Sequence, residues 1–309
     1  MARLSALLLL TLSLFGCRAP DDGKEPDGRI TVVATTNIVA DLVASVGGDA
    51  VSVTSLMGPG VDPHLYKASE GDVRRMSGAD AIFYGGLHLE GKMTEVFEQM
   101  QSRGIRTVAV ADGNSASAYI ESPDFGGNYD PHIWFDVSLW QGAARYVHET
   151  LAAMDSTRRA TLDVNLSRYL GRLDSLDAYV RSRVEQIPAE RRVVITSHDA
   201  FGYLGRAYGF EVRGLQGIST VLEAGAADVQ DLADFVTERR IPALFVESSV
   251  PPRGIEAVRE AVRARGFDVA IGGSLFSDAL GGSGTPEATY LGMVRHNIDT
   301  LADALSASP

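Results

Sequence analysis

The tripeptide Asp-Pro-His occurs twice in the sequence, at residues 62–64 and again at residues 130–132. The chain of 309 residues has only 12 prolines and 6 histidines, so a chance repeat is not expected. Proline fixes its own φ angle and pushes the preceding residue into an extended conformation, so each repeat presents its histidine, His64 or His132, from a stiff backbone. An imidazole held in this way, with a carboxylate two residues before it, is suited to binding a transition metal ion.

Two further residues could complete such a site. His198 follows the strand-like run at residues 193–196, and Asp278 lies in a Gly/Ser-rich segment near the C-terminus. Three imidazoles and one carboxylate are a complete set of ligands for one divalent metal ion. Asp278 has an alternative role as the N-cap of the helix that follows it. The other three histidines lie in predicted helices or after a glycine turn, and we leave them out of the site: His88, His148 and His296.

Carboxylates close to these histidines in the sequence could orient the rings. Glu247 ends the strand-like run Ala-Leu-Phe-Val-Glu, and it is either a weak ligand candidate or an acceptor for an imidazole N–H. A carboxylate that accepts the second imidazole N–H fixes the tautomer and the orientation of the ring. Four more aspartates that flank the histidines are candidates for this role: Asp62, Asp130, Asp136 and Asp199.

The N-terminal residues 1–17 have the pattern of an export signal. One arginine at position 3 precedes an apolar run at residues 4–15, which is too short to span a bilayer. Leu-Phe-Gly-Cys at residues 14–17 resembles the lipobox of bacterial lipoproteins, in which the cysteine becomes the lipidated first residue. Cys17 is the only cysteine, so the chain has no disulfide framework and no thiolate ligand. The alternative is an ordinary signal peptide with an incidental cysteine.

Length and composition predict a short tether and two lobes. Residues 18–29 are polar and rich in Pro, Gly and charge, which is typical of a flexible tether. The remaining ~280 residues exceed the usual ~100–200 of a single domain. We expect a first lobe at 30–157, a linking helix at 158–187 and a second lobe at 188–309. The net charge of −12 is unfavourable for binding nucleic acid or an anionic membrane surface.

Strand-like and helix-like segments alternate along both predicted lobes. Apolar runs of four to seven residues between helical stretches predict βα units on parallel sheets, and therefore an α/β fold. Strands are expected at 30–34, 51–57, 80–84, 106–110, 193–196, 210–215, 242–246 and 268–271. Residues 112–130 show no regular period. Because ligands collect at the C-terminal ends of parallel strands, His64, His198 and Asp278 are expected to point to one cleft.

Several segments together resemble the signature motifs of the TroA-like family, the metal-binding receptors of zinc/manganese/iron ABC importers. They are Gly-Val-Asp-Pro-His-Leu-Tyr at 60–66, Asp-Pro-His-Ile-Trp-Phe-Asp at 130–136, Ser-His-Asp-Ala-Phe-Gly-Tyr at 197–203 and Leu-Phe-Ser-Asp-Ala-Leu-Gly at 275–281. The similarity extends over the chain from about Arg29 and includes Gln-Gly-Ile-Ser-Thr at 216–220 and Phe-Val-Glu-Ser-Ser-Val at 245–250.

This resemblance implies two (βα) lobes joined by a long backbone helix, with a metal site in the cleft. It implies that His64, His132, His198 and Asp278 are the ligands. The implied function is capture of Zn²⁺, Mn²⁺ or Fe²⁺ outside the cytoplasm by a monomeric, membrane-anchored lipoprotein, and delivery of the ion to a membrane permease. Many manganese-dedicated members have Glu in place of His198, whereas zinc-dedicated members often have a histidine-rich loop that residues 111–130 lack. The resemblance therefore does not decide which of these metal ions the protein binds.

An exported zinc hydrolase is the alternative function, because a site with three histidines can keep an open catalytic position. The sequence has no His-Glu-x-x-His helix, and a fourth protein ligand would close the site. Glu247 is the residue that would have to serve as the general base. The same family has also been linked to adhesion, which nothing in the sequence addresses.

Overall fold

The computed structural model describes residues 28–306. The predicted signal peptide, the anchor residue Cys17 and the tether up to residue 27 lie outside this range. Among the helices in the range, none combines the length and the apolar character that crossing a membrane requires.

The first lobe is built on a four-stranded sheet in the order β2-β1-β3-β4, in which every pair is parallel. Its elements are β1 (Ile30–Ala34), α1 (Asn37–Gly47), β2 (Val51–Ser55), α2 (Glu70–Ser77), β3 (Ala81–Tyr84), α3 (Thr94–Ser102), β4 (Arg106–Ala109), β5 (Glu121–Ser122), β6 (Asn128–Tyr129) and α4 (Val137–Met154). The central strands β1 and β3 are buried on both faces. This burial explains why their sequences are nearly continuous apolar runs rather than alternating ones.

Residues 112–130, which showed no period in the sequence, contain a small element. Strands β5 and β6 form an antiparallel hairpin of two residues on each side. Strands this short cannot leave an alternating pattern, so the sequence did not indicate them.

The lobes are connected by the long helix α5 (Arg159–Val184), which has 26 residues and spans about 39 Å at about 1.5 Å per residue. One side of it is buried through Leu162, Tyr169, Leu173, Leu176, Val180 and Val184. These side chains belong to the same apolar core as residues of α1 and α4. The helix is therefore packed into the body of the protein along one face.

The second lobe contains β7 (Val193–His198), α6 (Gly202–Tyr208), β8 (Glu211–Gln216), α7 (Ala226–Arg239), β9 (Ala243–Glu247), α8 (Arg253–Ala264), β10 (Ala270–Leu275) and α9 (Tyr290–Ser306). Strand β7 pairs with β8, and β9 pairs with β10, both in parallel. The last strand runs further than the predicted 268–271, because Gly272 and Gly273 form a bulge where the sequence suggested an end. The last helix starts at Tyr290 instead of 287, since residues 286–288 form a separate 3₁₀ turn.

The predicted α/β architecture, with parallel sheets and a long connecting helix, is confirmed. His64 lies in the loop after β2, His132 in the loop before α4, and Asp278 three residues after β10. His198 was expected just past its strand, but it is the last residue of β7 and pairs with Gln216 of β8.

Candidate metal centre

The four predicted ligands come together from four separate segments. One ligand atom from each of His64, His132, His198 and Asp278 lies within 4.8 Å of the other three. All four residues are buried, with 2% or less of their surface exposed. The arrangement can hold one metal ion.

The distances between neighbouring ligand atoms fit a common metal ion. His64 Nε2 lies 3.3 Å from His132 Nε2. The two carboxylate oxygens of Asp278 lie 3.4 Å from His132 Nε2 and 3.4 Å from His198 Nε2. Ligand atoms arranged tetrahedrally at about 2.0–2.1 Å from Zn²⁺ are about 3.3–3.4 Å apart. Because each oxygen of Asp278 faces a different histidine, the carboxylate can offer one oxygen or both.

Asp130 is the closest carboxylate to the His132 ring. Asp130 Oδ1 lies 2.7 Å from His132 Nδ1, and the same oxygen accepts a hydrogen bond of 2.9 Å from the backbone N–H of His132. Nε2 is thereby directed at the other ligands. Burial alone would lower the pKa of His132, but the charges and hydrogen bonds of Asp130 and Asp278 outweigh it and raise that pKa to about 9.

His198 is supported by Glu247 from the neighbouring strand. Glu247 Oε1 accepts a 2.8 Å hydrogen bond from the backbone N–H of His198, and Oε2 lies 2.6 Å from Nδ1, at an angle poor for a hydrogen bond. Burial opposes a charge on His198, but Glu247 and Asp278 outweigh it and hold the pKa of His198 well above its usual range. The position of Glu247 favours a charged neighbour of His198 over a ligand, because it lies beside Nδ1 and outside the group of four.

His64 has a different environment from the other two histidines. Its Nδ1 has no hydrogen-bond partner among the residues that the structure describes, and burial lowers its pKa to about 3. Asp62 was expected to orient the His64 ring. Instead, Asp62 Oδ1 accepts a 2.8 Å bond from the backbone N–H of His64, and Asp62 Oδ2 accepts a 2.6 Å bond from the hydroxyl of Thr220 in the second lobe.

The expected roles of two other aspartates need correction. Asp136 caps α4, where its Oδ1 accepts hydrogen bonds from the backbone N–H and the hydroxyl of Ser138. A capping carboxylate at the start of a helix has no imidazole to orient. Asp199 is half-buried, and burial raises its pKa, while the charges of His132 and His198 lower it. In the described range it makes no side-chain hydrogen bond to either ring.

Asp278 lies in a loop that is bonded to three other elements. The Asn297 side chain accepts from the N–H of Phe276 and donates to its carbonyl, at 2.9 and 2.7 Å. The Asn37 side chain accepts from the N–H of Leu280 at 2.8 Å. Trp134 Nε1 donates to the carbonyl of Ser277 at 2.9 Å. Asp278 does not cap the following helix, since α9 begins only at Tyr290.

The charge state of Asp278 follows from its neighbours. Burial would raise the pKa of its carboxyl, but His198 and His132 hold that pKa well below its usual range. The carboxylate is therefore ionised and available to a cation.

The sequence interpretation assigned no role to Trp134, Thr220, Asn37 or Asn297. Trp134 and Thr220 do lie in the motif segments 130–136 and 216–220, which is the signal that could have drawn attention to them. Asn37 and Asn297 lie in helices, and no local pattern singles them out. Both bond to the loop that contains Asp278, which is more than 20 residues away from each of them in the chain.

The centre is better suited to binding than to catalysis. A base for hydrolysis would have to accept a proton from a metal-bound water. Glu247, the candidate for that role, directs one oxygen to the backbone and the other to the ring of His198. The hydrolase alternative therefore finds no support in the geometry.

Comparisons with known proteins agree with this geometry. The family model described as "ZnuA: Zinc-uptake complex component A periplasmic" matches residues 32–304. The zinc-binding protein TroA of Treponema pallidum (strain Nichols) is 50% identical over 281 residues, which cover 91% of this chain and 90% of TroA. The manganese-binding lipoprotein MntA of Bacillus subtilis (strain 168) is 44% identical over 302 residues, or 98% of each chain.

The similarity extends to three-dimensional structure. The solved structure of the periplasmic zinc-binding protein TroA from Treponema pallidum matches with a TM-score of 0.87 at 50% identity, covering 91% of this chain and 100% of that chain. The family match spans both lobes and the helix between them. The chain therefore belongs to the ZnuA family of periplasmic zinc-uptake components, and its resemblance to the metal-binding receptors of ABC importers is confirmed.

Proposed function

We propose that this protein captures one divalent transition metal ion outside the cytoplasm and delivers it to the membrane permease of an ABC importer. The ligands in this proposal are His64, His132, His198 and Asp278. The observation that carries it is the buried group of four ligand atoms within 4.8 Å of one another. The naming of its relatives as zinc- and manganese-binding proteins supports the same function.

The proposed cargo is Zn²⁺ or Mn²⁺, with Fe²⁺ as a third candidate. A set of three imidazoles and one carboxylate is a borderline donor set, which accepts all three ions. Affinity at such a site follows the Irving–Williams order, so zinc should bind more tightly than manganese in vitro. The two oxygens of Asp278, each facing a different histidine, allow a higher coordination number that also suits Mn²⁺.

We also propose that the mature protein is a monomer anchored to the membrane through a lipidated Cys17. The lipobox-like residues 14–17 support this, as does the name of MntA, a lipoprotein. In the mature chain, a tether at 18–29 would connect the anchor to lobes at 30–157 and 188–309, with the helix at 158–187 between them. Mass spectrometry of the mature N-terminus tests the anchor, because an unmodified terminus downstream of Cys17 would contradict it.

Metal analysis of protein purified without added metal, followed by competitive titration, tests the function. We expect one ion per chain, with zinc displacing manganese at equal concentrations. The zinc-loaded protein is also incubated with a chromogenic ester. No turnover above that of free zinc is expected, whereas turnover that depends on Glu247 would favour the hydrolase.

A further inference from the structure

A groove on the outer surface, between helices α5 and α9, is lined by arginines. It has a volume of about 420 Å³. Arg168 and Arg172 line it from α5, and Arg295 lines it from α9. All three side chains are exposed, and no acidic side chain from the described range lines the groove. Three cationic groups thus converge on one surface of a chain whose net charge is −12.

Two acidic side chains near the groove accept hydrogen bonds from residues outside the three arginines. Asp41, whose charge acts on Arg172, accepts a 3.0 Å hydrogen bond from the backbone N–H of Tyr290. Asp299 Oδ1 accepts from the hydroxyl of Tyr179 and from Arg183.

Within residues 28–306, none of the three arginines forms an ion pair, although the charge of Asp41 acts on Arg172. Arg295 stacks on the ring of Tyr179, with its guanidinium carbon 4.3 Å from the ring centroid. Arg168 makes no ion pair or side-chain hydrogen bond within residues 28–306. Arg168 and Arg172 are four residues apart on one helix, where two like charges repel each other. An anion in the groove would relieve this repulsion.

Gly171 contributes to the space in the groove. It lies inside the 26-residue helix α5, where glycine is less favourable than alanine. A Cβ atom at Gly171 would meet no atom within 4 Å, so internal packing does not require a glycine there. Gly292 on the other wall is different, since a Cβ there would lie 1.8 Å from the carbonyl oxygen of Pro286. The absence of a side chain at position 171 leaves room for a ligand beside Arg168 and Arg172.

We propose that this groove binds a phosphate group, either as free phosphate or as the head group of an anionic lipid. Guanidinium groups bind phosphate through pairs of parallel N–H···O bonds, and three arginine side chains line this groove. The volume fits a small anion or a single head group. The site is separate from the metal centre and does not depend on the proposed function.

Chemical labelling of the lipidated full-length protein tests the proposal and distinguishes the two sources of phosphate. Phenylglyoxal modifies exposed arginines, and mass spectrometry gives the rate at each position. Arg74 and Arg253, whose side chains are 75% and 76% exposed, serve as internal controls. The protein is labelled alone, with inorganic phosphate, with phosphatidylglycerol vesicles and with phosphatidylcholine vesicles.

We expect slower labelling of Arg168 and Arg172 at unchanged rates for the two controls. Protection by inorganic phosphate identifies a soluble ligand, and protection by phosphatidylglycerol but not phosphatidylcholine identifies a lipid head group. Unchanged rates with every addition would overturn the proposal. Equal protection by the two kinds of vesicle, without protection by phosphate, would also overturn it, because that result reports only shielding by a nearby membrane.

A pair of double variants provides the matched comparison for whichever probe protects. Arg168→Gln with Arg172→Gln should lower the affinity for that probe by about tenfold or more, the effect of losing a charged hydrogen bond. Arg74→Gln with Arg253→Gln removes the same net charge elsewhere and should leave the affinity unchanged. Both variants should bind zinc like the wild type, which verifies their folding. Equal affinity of the two double variants for the probe would contradict the assignment.

Discussion

The rear and the mouth of the metal-binding cleft are held together in different ways. The rear is the segment 275–280, which contains Asp278 and is bonded to α1, to α9 and to the loop before α4. The mouth consists of the segments 60–66 and 217–223. Within the described range, one side-chain hydrogen bond, from Thr220 to Asp62, joins its two parts.

The rear and the mouth also differ in the solvent exposure of their side chains. Asp278 is 1% exposed, whereas three apolar side chains at the mouth are largely open to solvent: Leu65 at 45%, Val221 at 51% and Leu222 at 81%. His64 and Val221 line the same surface cavity of about 310 Å³. From this comparison we predict that the rear is held more firmly than the mouth, and that His64, which lines the cavity at the mouth, is the first of the four proposed ligands to move when an ion is released.

Removal of a proposed ligand should have the largest effect on zinc affinity, and it tests directly whether the rear and the mouth of the cleft differ. His198→Ala should weaken zinc binding more than His64→Ala does, because Glu247 holds His198 in place, whereas His64 Nδ1 has no orienting partner in the described range. Both losses should exceed about tenfold, since even the outer partners of metal ligands contribute 10–100-fold. Competition with a chromophoric chelator measures the zinc affinity of each variant. A greater loss of affinity for His64→Ala would contradict the distinction between rear and mouth.

Glu247→Gln should have the next largest effect. The amide can still occupy the space but no longer offers a charged oxygen to His198 Nδ1, and such changes lower metal affinity by about 10–100-fold. Glu70→Gln is the matched control, because the Glu70 side chain is 95% exposed and pairs with Arg74 at the surface. A zinc affinity for Glu247→Gln within error of the control would show that His198 does not depend on this carboxylate.

The pH dependence should be dominated by His132 and His198 and not by His64. In the metal-free protein the pKa of His132 is raised to about 9 and that of His198 is held well above its usual range, so both rings carry a proton at neutral pH that the metal ion must displace. Affinity should therefore fall by at least about tenfold for each unit of pH below about 9. His64, with its pKa lowered to about 3, releases no proton in this range. Calorimetry in buffers of different ionisation enthalpy should give at least one proton released per zinc ion at pH 7, and none would contradict the assignment.

Thr220→Val should give the smallest effect. Loss of one hydrogen bond across the mouth is expected to raise the rate of zinc dissociation by about two- to tenfold, which corresponds to about 0.5–1.5 kcal/mol. Thr220→Ser keeps the hydroxyl and should restore the wild-type rate. Thr237→Val removes a hydroxyl bonded within α7 and is the control. If the valine variant at 220 released zinc no faster than this control, the bond would not restrain the mouth.

The features that could be predicted from the sequence are those with a local signature. The repeated Asp-Pro-His tripeptide pointed to His64 and His132, and alternating apolar runs and helices predicted the βα units of both lobes. The two tripeptides place their aspartates differently: Asp130 lies 2.7 Å from His132 Nδ1, whereas Asp62 bonds to the backbone N–H of His64 and to Thr220. The ligand roles remain predictions until a metal is bound.

The features that escaped prediction depend on contacts between distant segments. Thr220 and Asp62 are 158 residues apart, and Asn37 and Leu280 are 243 apart, so neither bond leaves a periodic trace. Asp136 was misassigned because the sequence alone does not distinguish an aspartate that orients a nearby histidine from one that caps a helix. The local signal for a cap was the position of Asp136 directly before Val137, the first apolar residue of the helix.

X-ray absorption at the zinc edge is the measurement that tests the central claim most directly, because it counts the groups bound to the ion. For the protein loaded with one zinc ion, we expect scattering from three imidazole rings and from one or two carboxylate oxygens at about 2.0–2.2 Å. The His64→Ala variant should show one imidazole fewer. Fewer than two imidazoles in the wild type, or a sulfur ligand, would contradict a centre formed by His64, His132, His198 and Asp278.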